Sequence, residues 1–449
     1  MNLAASNPLS WCKQLRRPSR GAADLLLTGM AYGASAPLAF AANILIARLL
    51  GPQGFGTYIT FLSAALVMGG VAAYGVGPVL TREISGSPID QRRAIVLAMT
   101  RWALSLTGVL SLAAIVVLLV WLIFVPSELS NSWPERIAAA GIIPTFVWAS
   151  MVSGILGGLS LVAKSQVIGN TLKNGLLLLG AGLLLFSGMH QAVDALWLQI
   201  IVSVLAASVG AFWVWRAISH DVDHIPPTVE APEALDARSR HGTWRRAAGH
   251  FFAMTMAMLI LGRIDVVIVN ALSGPFQAGI FGAAARLAQI AAIAGLVWVA
   301  WLQPRVSKLF RSGQKVALRK VLKLGLIGAV GMTGALILVG WFLAPWIMAL
   351  MGAGFEGAVA PFRWLLLGYL AWAVSIPFYV ALGMTGLEFI LSKILWGQLA
   401  ITLAASFPLV HFYGAIGCAW AWASGLVVGS VCIISAGYFY RAKDLNHAV

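Results

Sequence analysis

Charge is what this chain has least of. Asp, Glu, Lys and Arg make up 10% of the 449 residues, against about 25% in ordinary soluble domains, while apolar residues make up 60%. That balance excludes a soluble globular enzyme and leaves a chain that crosses a bilayer many times. Acidic residues are scarcer than basic ones, 15 against 30, for a net charge of +15. In a soluble protein the excess would point to nucleic acid; here its placement reads as membrane topology, so nucleic acid is not an expected partner. Cysteine is nearly absent. Cys12, Cys418 and Cys432 give neither a disulfide framework nor a metal-ligand spacing. His220 and His224 stand four residues apart, but without a third ligand cluster no metal is expected. No GxxxxGK[ST] loop is present, so ATP is not the direct energy source, and no other cofactor is expected. No stretch carries a local Ser/His/Asp or Cys/His nucleophile arrangement, so no catalytic residue is assigned. The longest outward segment, residues 126–136, is too short for a catalytic domain.

Long apolar runs are what the chain has most of. The first follows Lys13, Arg16, Arg17 and Arg20 and contains an AFA at 39–41 that mimics a cleavage site. It continues to Leu50, long enough to cross a core of about 30 Å, and so reads as a span. Twelve runs of spanning length follow one another, six on each side of a polar stretch. The expected fold class is therefore an all-α polytopic membrane protein with twelve transmembrane helices. Residues 1–216 form one six-helix bundle and 249–449 the other, as parallel pseudo-repeats joined by a linker, 217–248. The linker holds Pro226, Pro227 and Pro232, which suits a flexible tether, and ends in RSRHGTWRRAAGHFF, a candidate interfacial helix on anionic headgroups.

Orientation follows from the cations. All but six of the 30 Lys and Arg fall in the leader, the linker, the tail and alternate loops; Arg48, Arg136 and Arg363 lie on the opposite side, and Arg101, Arg263 and Arg286 lie inside spans. This places both termini in the cytoplasm.

The halves share a local pattern. LLGPQGFGTY around Gly51 and LSGPFQAGIF around Gly274 align without a gap, pairing Pro52 with Pro275, Gly56 with Gly279 and Tyr58 with Phe281. The offset, 274 minus 51, or 223 residues, also carries Arg82 onto Arg305. Gly154 and Gly158, and the series Gly325, Gly328, Gly331 and Gly334, read as close helix packing.

The buried charges in the second copy, GRIDVVIVNALSGPFQAGIFGAAARLAQ at 262–289, are the strongest functional signal. A charge at mid-membrane faces a partner or a hydrated cavity, because lipid solvates neither. Asp265 lies nine residues before Gly274 and Arg286 nine after Gln277, each about 13 Å from the turn, so the two can meet as an ion pair serving as a gate or proton site. Arg263, two positions from Asp265, points elsewhere and is left facing a cavity or an anion. Arg101 and Lys173 each lie about 10 Å inside the cytoplasmic edge, where snorkelling and cavity lining are equally open. Several arginines around one carboxylate suit an anion, and a bidentate guanidinium suits phosphate.

ARLLGPQGFGTY at 47–58, TREI at 81–84, the 262–289 stretch, MGAGFEGAVAPFRWLLLGY at 351–369 and FYGAIGCAWAWASG at 412–425 together resemble the polysaccharide-unit (O-antigen type) flippases of the multidrug/oligosaccharidyl-lipid/polysaccharide exporter (MOP) superfamily. The resemblance runs nearly end to end. It implies a MATE-like V-shaped pair of bundles around a cavity that opens alternately to either membrane face. It also implies a substrate, an oligosaccharide on a polyprenyl pyrophosphate, moved across the bacterial inner membrane for O-antigen, capsule or exopolysaccharide assembly. Arg263, Arg286, Arg101 and Lys173 are then the candidate substrate-binding cations and Asp265 the coupling or gate residue. Membrane lipids, a polysaccharide polymerase and its assembly machinery are the implied partners. Three competitors remain: a multidrug or cation antiporter of the same superfamily, a membrane-embedded glycosyltransferase or polymerase, and a non-transporting scaffold, which leaves the intramembrane charges unexplained except as ion pairs. The second lacks carboxylates in any sizeable outward loop.

Overall fold

A backbone in hydrocarbon has no water to bond, so apolar runs of this length satisfy their N–H and C=O groups within helices. The computed structural model describes residues 20–87, 92–124, 133–188, 190–220, 237–384 and 387–446, and these are helical nearly throughout, with no strand among them. The leader before residue 20, most of the 126–136 loop and the linker prolines lie outside the described residues.

The N-terminal half contains α1 (Arg20–Ala73), α2 (Val76–Ser85), α3 (Arg92–Phe124), α4 (Trp133–Gly158), α5 (Val162–Gln166), a π-helical segment (Val167–Leu172), α6 (Lys173–Ser187) and α7 (Ala192–His220). The C-terminal half contains α8 (Ala237–Leu261), α9 (Ile264–Arg311), α10 (Lys315–Leu350), a 3-10 turn (Glu356–Ala358), α11 (Val359–Met384) and α12 (Glu388–Asn446). Nine helices among the described residues are long and apolar enough to cross a membrane. Three of them, α1, α9 and α12, are each two helices meeting at a kink, at Gly51, Gly274 and Gly414. Gly51 and Gly274 take nearly the same backbone angles, φ 65° and ψ 177° against φ 81° and ψ 173°, which an L side chain rarely adopts. The duplicated GP motif is thus a duplicated turn.

These two turns meet. A Cβ on Gly56 would overlap the Pro275 carbonyl, and one on Gly279 would overlap the Pro52 carbonyl, so α1 and α9 cross backbone to backbone in a reciprocal contact. Around it, Phe55 packs edge-on against Phe355 at 6.1 Å, and the Arg48 guanidinium donates to the Leu350 carbonyl at the C-terminal end of α10. The two halves are sealed together at this turn end. Close packing explains Gly154 against Gly77, Gly158 against Ile84, Gly325 against Leu302 and Gly328 against Trp298, whereas Gly331 and Gly334 meet nothing within 4 Å.

The basic stretch before span seven is continuous with it in one helix, α8, rather than a separate element. Its Trp244 meets Trp102 of α3 at 5.5 Å, and Phe252 stacks on Tyr74 at 5.1 Å. Tyr74 (φ 44°) and Gly75 (φ 68°) break the path between α1 and α2, and a Cβ on Gly75 would press on the backbone of Ala248 and Phe252. The first helix of the C-terminal half therefore seats in a break in the N-terminal half.

Candidate functional site

The path of the seventh span is interrupted where the sequence places its charges. α8 ends at Leu261, Gly262 and Arg263 form a turn, and α9 begins at Ile264. Helix ends leave carbonyls and N–H groups without intrahelical partners, and in a bilayer each needs another partner. The Leu261 carbonyl accepts the indole N–H of Trp422 at 3.1 Å, and the Cys418 thiol lies 4.0 Å from the Asp265 carbonyl oxygen. At the start of α9 the Asp265 carboxylate accepts the Val266 N–H at 2.8 Å. A carboxylate in the first turn of a helix also meets the positive end of its dipole. α12 thus closes the break from one side, and Asp265 closes it from within.

Around the break stands a mixed cluster drawn from both halves. Arg263 interacts electrostatically with Arg286, Asp265 and Tyr58, and Lys173 with Arg263. Tyr369 of α11 adjoins Asp265 and Arg286 and packs its ring against Trp422 at 5.5 Å. Tyr58 and Tyr369 are buried, at 2% and 8% exposure. Two cations, Arg263 and Arg286, therefore adjoin one carboxylate, and a third, Lys173 of the other half, lies near Arg263. Neither Lys173 nor Arg263 has a hydrogen-bonded or ion-paired side-chain partner among the described residues.

The expected Asp265–Arg286 ion pair is not formed. Among the described residues the salt bridge is Arg82–Glu83, while Arg286 donates to Gln289 at 3.4 Å. The Asp265 carboxylate is held instead by the Val266 N–H at the new helix start. Arg101 is not brought into the cluster. It lies exposed on α3, on the same stripe as the exposed Leu97 and Leu104. Tyr58, Tyr369 and Trp422 join the site without having been singled out as site residues. Their only signal in the chain was an aromatic at the repeat position and aromatics within the 351–369 and 412–425 stretches. Groups of three or more His, Cys, Asp or Glu placed to hold a metal do not occur among the described residues.

Comparison with known proteins follows from this geometry. The model of a family described as polysaccharide biosynthesis protein matches residues 22–310, more than half of the chain and all of the duplicated turns and buried charges. The chain belongs to this family. Among curated proteins none matches this family member in sequence. Its fold is that of the MOP superfamily. It is similar to an inward-facing multidrug resistance MATE transporter, with TM-score 0.70 and 13% identity over 91% of this chain and 95% of that one. It is also similar to the lipid II flippase MurJ in an inward closed conformation, with TM-score 0.66 and 14% identity over 92% and 87%. An outward-facing MATE transporter superposes less well, with TM-score 0.54 and 16% identity over 93% of both chains.

Proposed function

We propose that this protein flips an oligosaccharide carried on a polyprenyl pyrophosphate across the bacterial inner membrane, by alternating access between its two halves, for surface polysaccharide assembly. One observation carries the reading: Lys173 of one half lies near Arg263 of the other, which lies near Arg286, and neither Lys173 nor Arg263 has a hydrogen-bonded or ion-paired side-chain partner among the described residues. Partly buried cations that outnumber the one carboxylate beside them recruit an anion, and the forked guanidinium matches the oxygens of a pyrophosphate. Because the cations come from both halves, a bound pyrophosphate bridges the moving parts and feels their relative motion. Dividing α1, α9 and α12 at their kinked glycines supports the twelve-span arrangement. The Lys and Arg placement supports cytoplasmic termini. Family membership supports a supporting role for a polysaccharide polymerase as partner.

No group-transfer chemistry is assigned, and the residues bind, orient and release. The lipid tail remains in the bilayer while the cations take the headgroup. Arg101 is left outside this machinery by its exposed position, and Asp265 is assigned to hold the start of α9 so that Arg263 faces the cleft.

Arg263→Ala abolishes surface polymer and accumulates unpolymerised lipid-linked oligosaccharide on the cytoplasmic side, with normal membrane expression. Arg263→Lys retains charge without the fork and restores only part of the flux. Normal surface polymer in Arg263→Ala sinks the reading. The multidrug alternative rests on the fold shared with MATE transporters and on the buried Asp265. It predicts instead that deleting the protein changes drug tolerance and leaves polysaccharide intact.

A further inference from the structure

A cavity of about 540 Å³ lies inside the N-terminal half, walled by α2, α4, the α5–π–α6 path and α7. We propose that it is a chamber for the sugar moiety of the transported lipid, with Lys173 at the point where the pyrophosphate site and the chamber join. The inference rests on the reading above and names the part of the substrate that reading leaves unplaced.

The wall is mainly apolar but carries a set of polar side chains. Thr81, Thr145, Ser150, Ser153, Gln166 and Ser203 all line it. Thr145 donates to the Ile142 carbonyl, Thr81 to the Gly77 and Gly154 carbonyls, and the Ser153 and Ser165 hydroxyls bond each other at 2.6 Å. These bonds use the donors and fix the hydroxyls, leaving oxygen lone pairs directed at whatever fills the space. The cavity's volume falls in the range of small-molecule sites, about 300–1,000 Å³.

The wall also selects. It carries no acidic residue among its described members, so an organic cation finds no counter-ion there. It offers acceptors, an amide at Gln166 and the ring of Phe146, which complement the hydroxyls and apolar face of a pyranose. The one charged member is Lys173, the cation that also faces Arg263 across the cleft. Lys173 follows directly on the π-helical segment Val167–Leu172. Such wide turns re-aim the residues after them and occur often at functional sites. A pyrophosphate held between Lys173 and Arg263 therefore presents its sugar at the chamber mouth.

The test uses the full-length protein in nanodiscs and two probes: lipid-linked oligosaccharide extracted from cells lacking this protein, and sugar-free polyprenyl pyrophosphate. The measured quantity is the ratio of their affinities. Wild type prefers the sugar-bearing lipid by about tenfold or more. Ser203→Leu, which fills the chamber from α7, brings the ratio to about one. The double variant Thr145→Val with Ser203→Ala, which keeps the volume and removes hydroxyls, lowers it and guards against a misfolded Ser203→Leu. Arg263→Ala weakens both lipids and leaves the ratio near the wild-type value. A ratio unchanged in both chamber variants, or equal binding of the two lipids by wild type, overturns the chamber while leaving the flippase reading standing. Wild type that binds neither lipid overturns both.

Discussion

Trp422 shows how much of the site depends on residues that carry no charge. Its indole N–H supplies the bond that the Leu261 carbonyl loses where α8 stops, and its ring backs Tyr369. Removing one partner of a buried hydrogen bond leaves the other unsatisfied, at about 1–3 kcal/mol. Trp422→Phe keeps the ring and removes the donor, so it destabilises the protein by about that amount and weakens lipid-linked oligosaccharide transport by displacing Arg263. Thermal unfolding in detergent together with a transport assay checks this, and wild-type values in both would leave Trp422 without the role. The same scale explains what the chain disclosed and what it hid. Arg263, Asp265 and Arg286 stood out because lipid makes any charge conspicuous. Arg101 and Lys173 were indistinguishable by depth alone. Depth follows from residue count at about 1.5 Å per residue. Azimuth does not, and it is azimuth that leaves Arg101 on an exposed stripe while the π-helical segment precedes a Lys173 that lines the cavity.

At the scale of elements, the duplicated GP turns matter more than either copy alone. Gly56 and Gly279 let α1 and α9 touch backbone to backbone, which no residue with a Cβ permits without separating them. Gly279→Ala therefore loosens the seal. In a background with Phe355→Cys, whose native side chain is fully buried against Phe55, labelling by a membrane-impermeant maleimide rises several-fold when Gly279→Ala is added. Unchanged labelling would mean that the turn contact does not hold this end shut. The turns and their alignment were legible from the Gly-Pro spacing. That the two copies pack on each other was not, because a repeat in sequence carries no information about which surfaces of its copies face each other. The break at Gly262–Arg263 was hidden for a related reason: apolar residues flank it on both sides, and one of the bonds that makes an interrupted helix tolerable there comes from Trp422, 161 residues later.

At the scale of the whole molecule, the seal predicts that alternation requires its opening. Phe55 and Phe355 belong to opposite halves and meet edge to face. Replacing both with Cys and bridging the pair with a reducible bifunctional maleimide fastens the turn end, arrests transport and leaves binding of sugar-free polyprenyl pyrophosphate from the linker end; reduction of the bridge restores transport. Transport that continues through the bridged pair would exclude the rocking of halves as the mechanism. Composition determined on its own that the chain is an all-helical membrane protein, because a sequence with 10% charge cannot cover a water-facing surface. The repeat and the intramembrane charges likewise carry the expectation of two related halves and mark the span on which the proposed pyrophosphate site is placed. Only the tertiary structure decided that the Asp265 carboxylate bonds the Val266 N–H rather than Arg286, that Lys173 rather than Arg101 lies near Arg263, and that hydroxyls scattered over four helices line one cavity. Hydrophobicity is additive along a chain and can be read locally. Which polar groups meet depends on helix rotation and on partners hundreds of residues away, and that is fixed only when the helices pack.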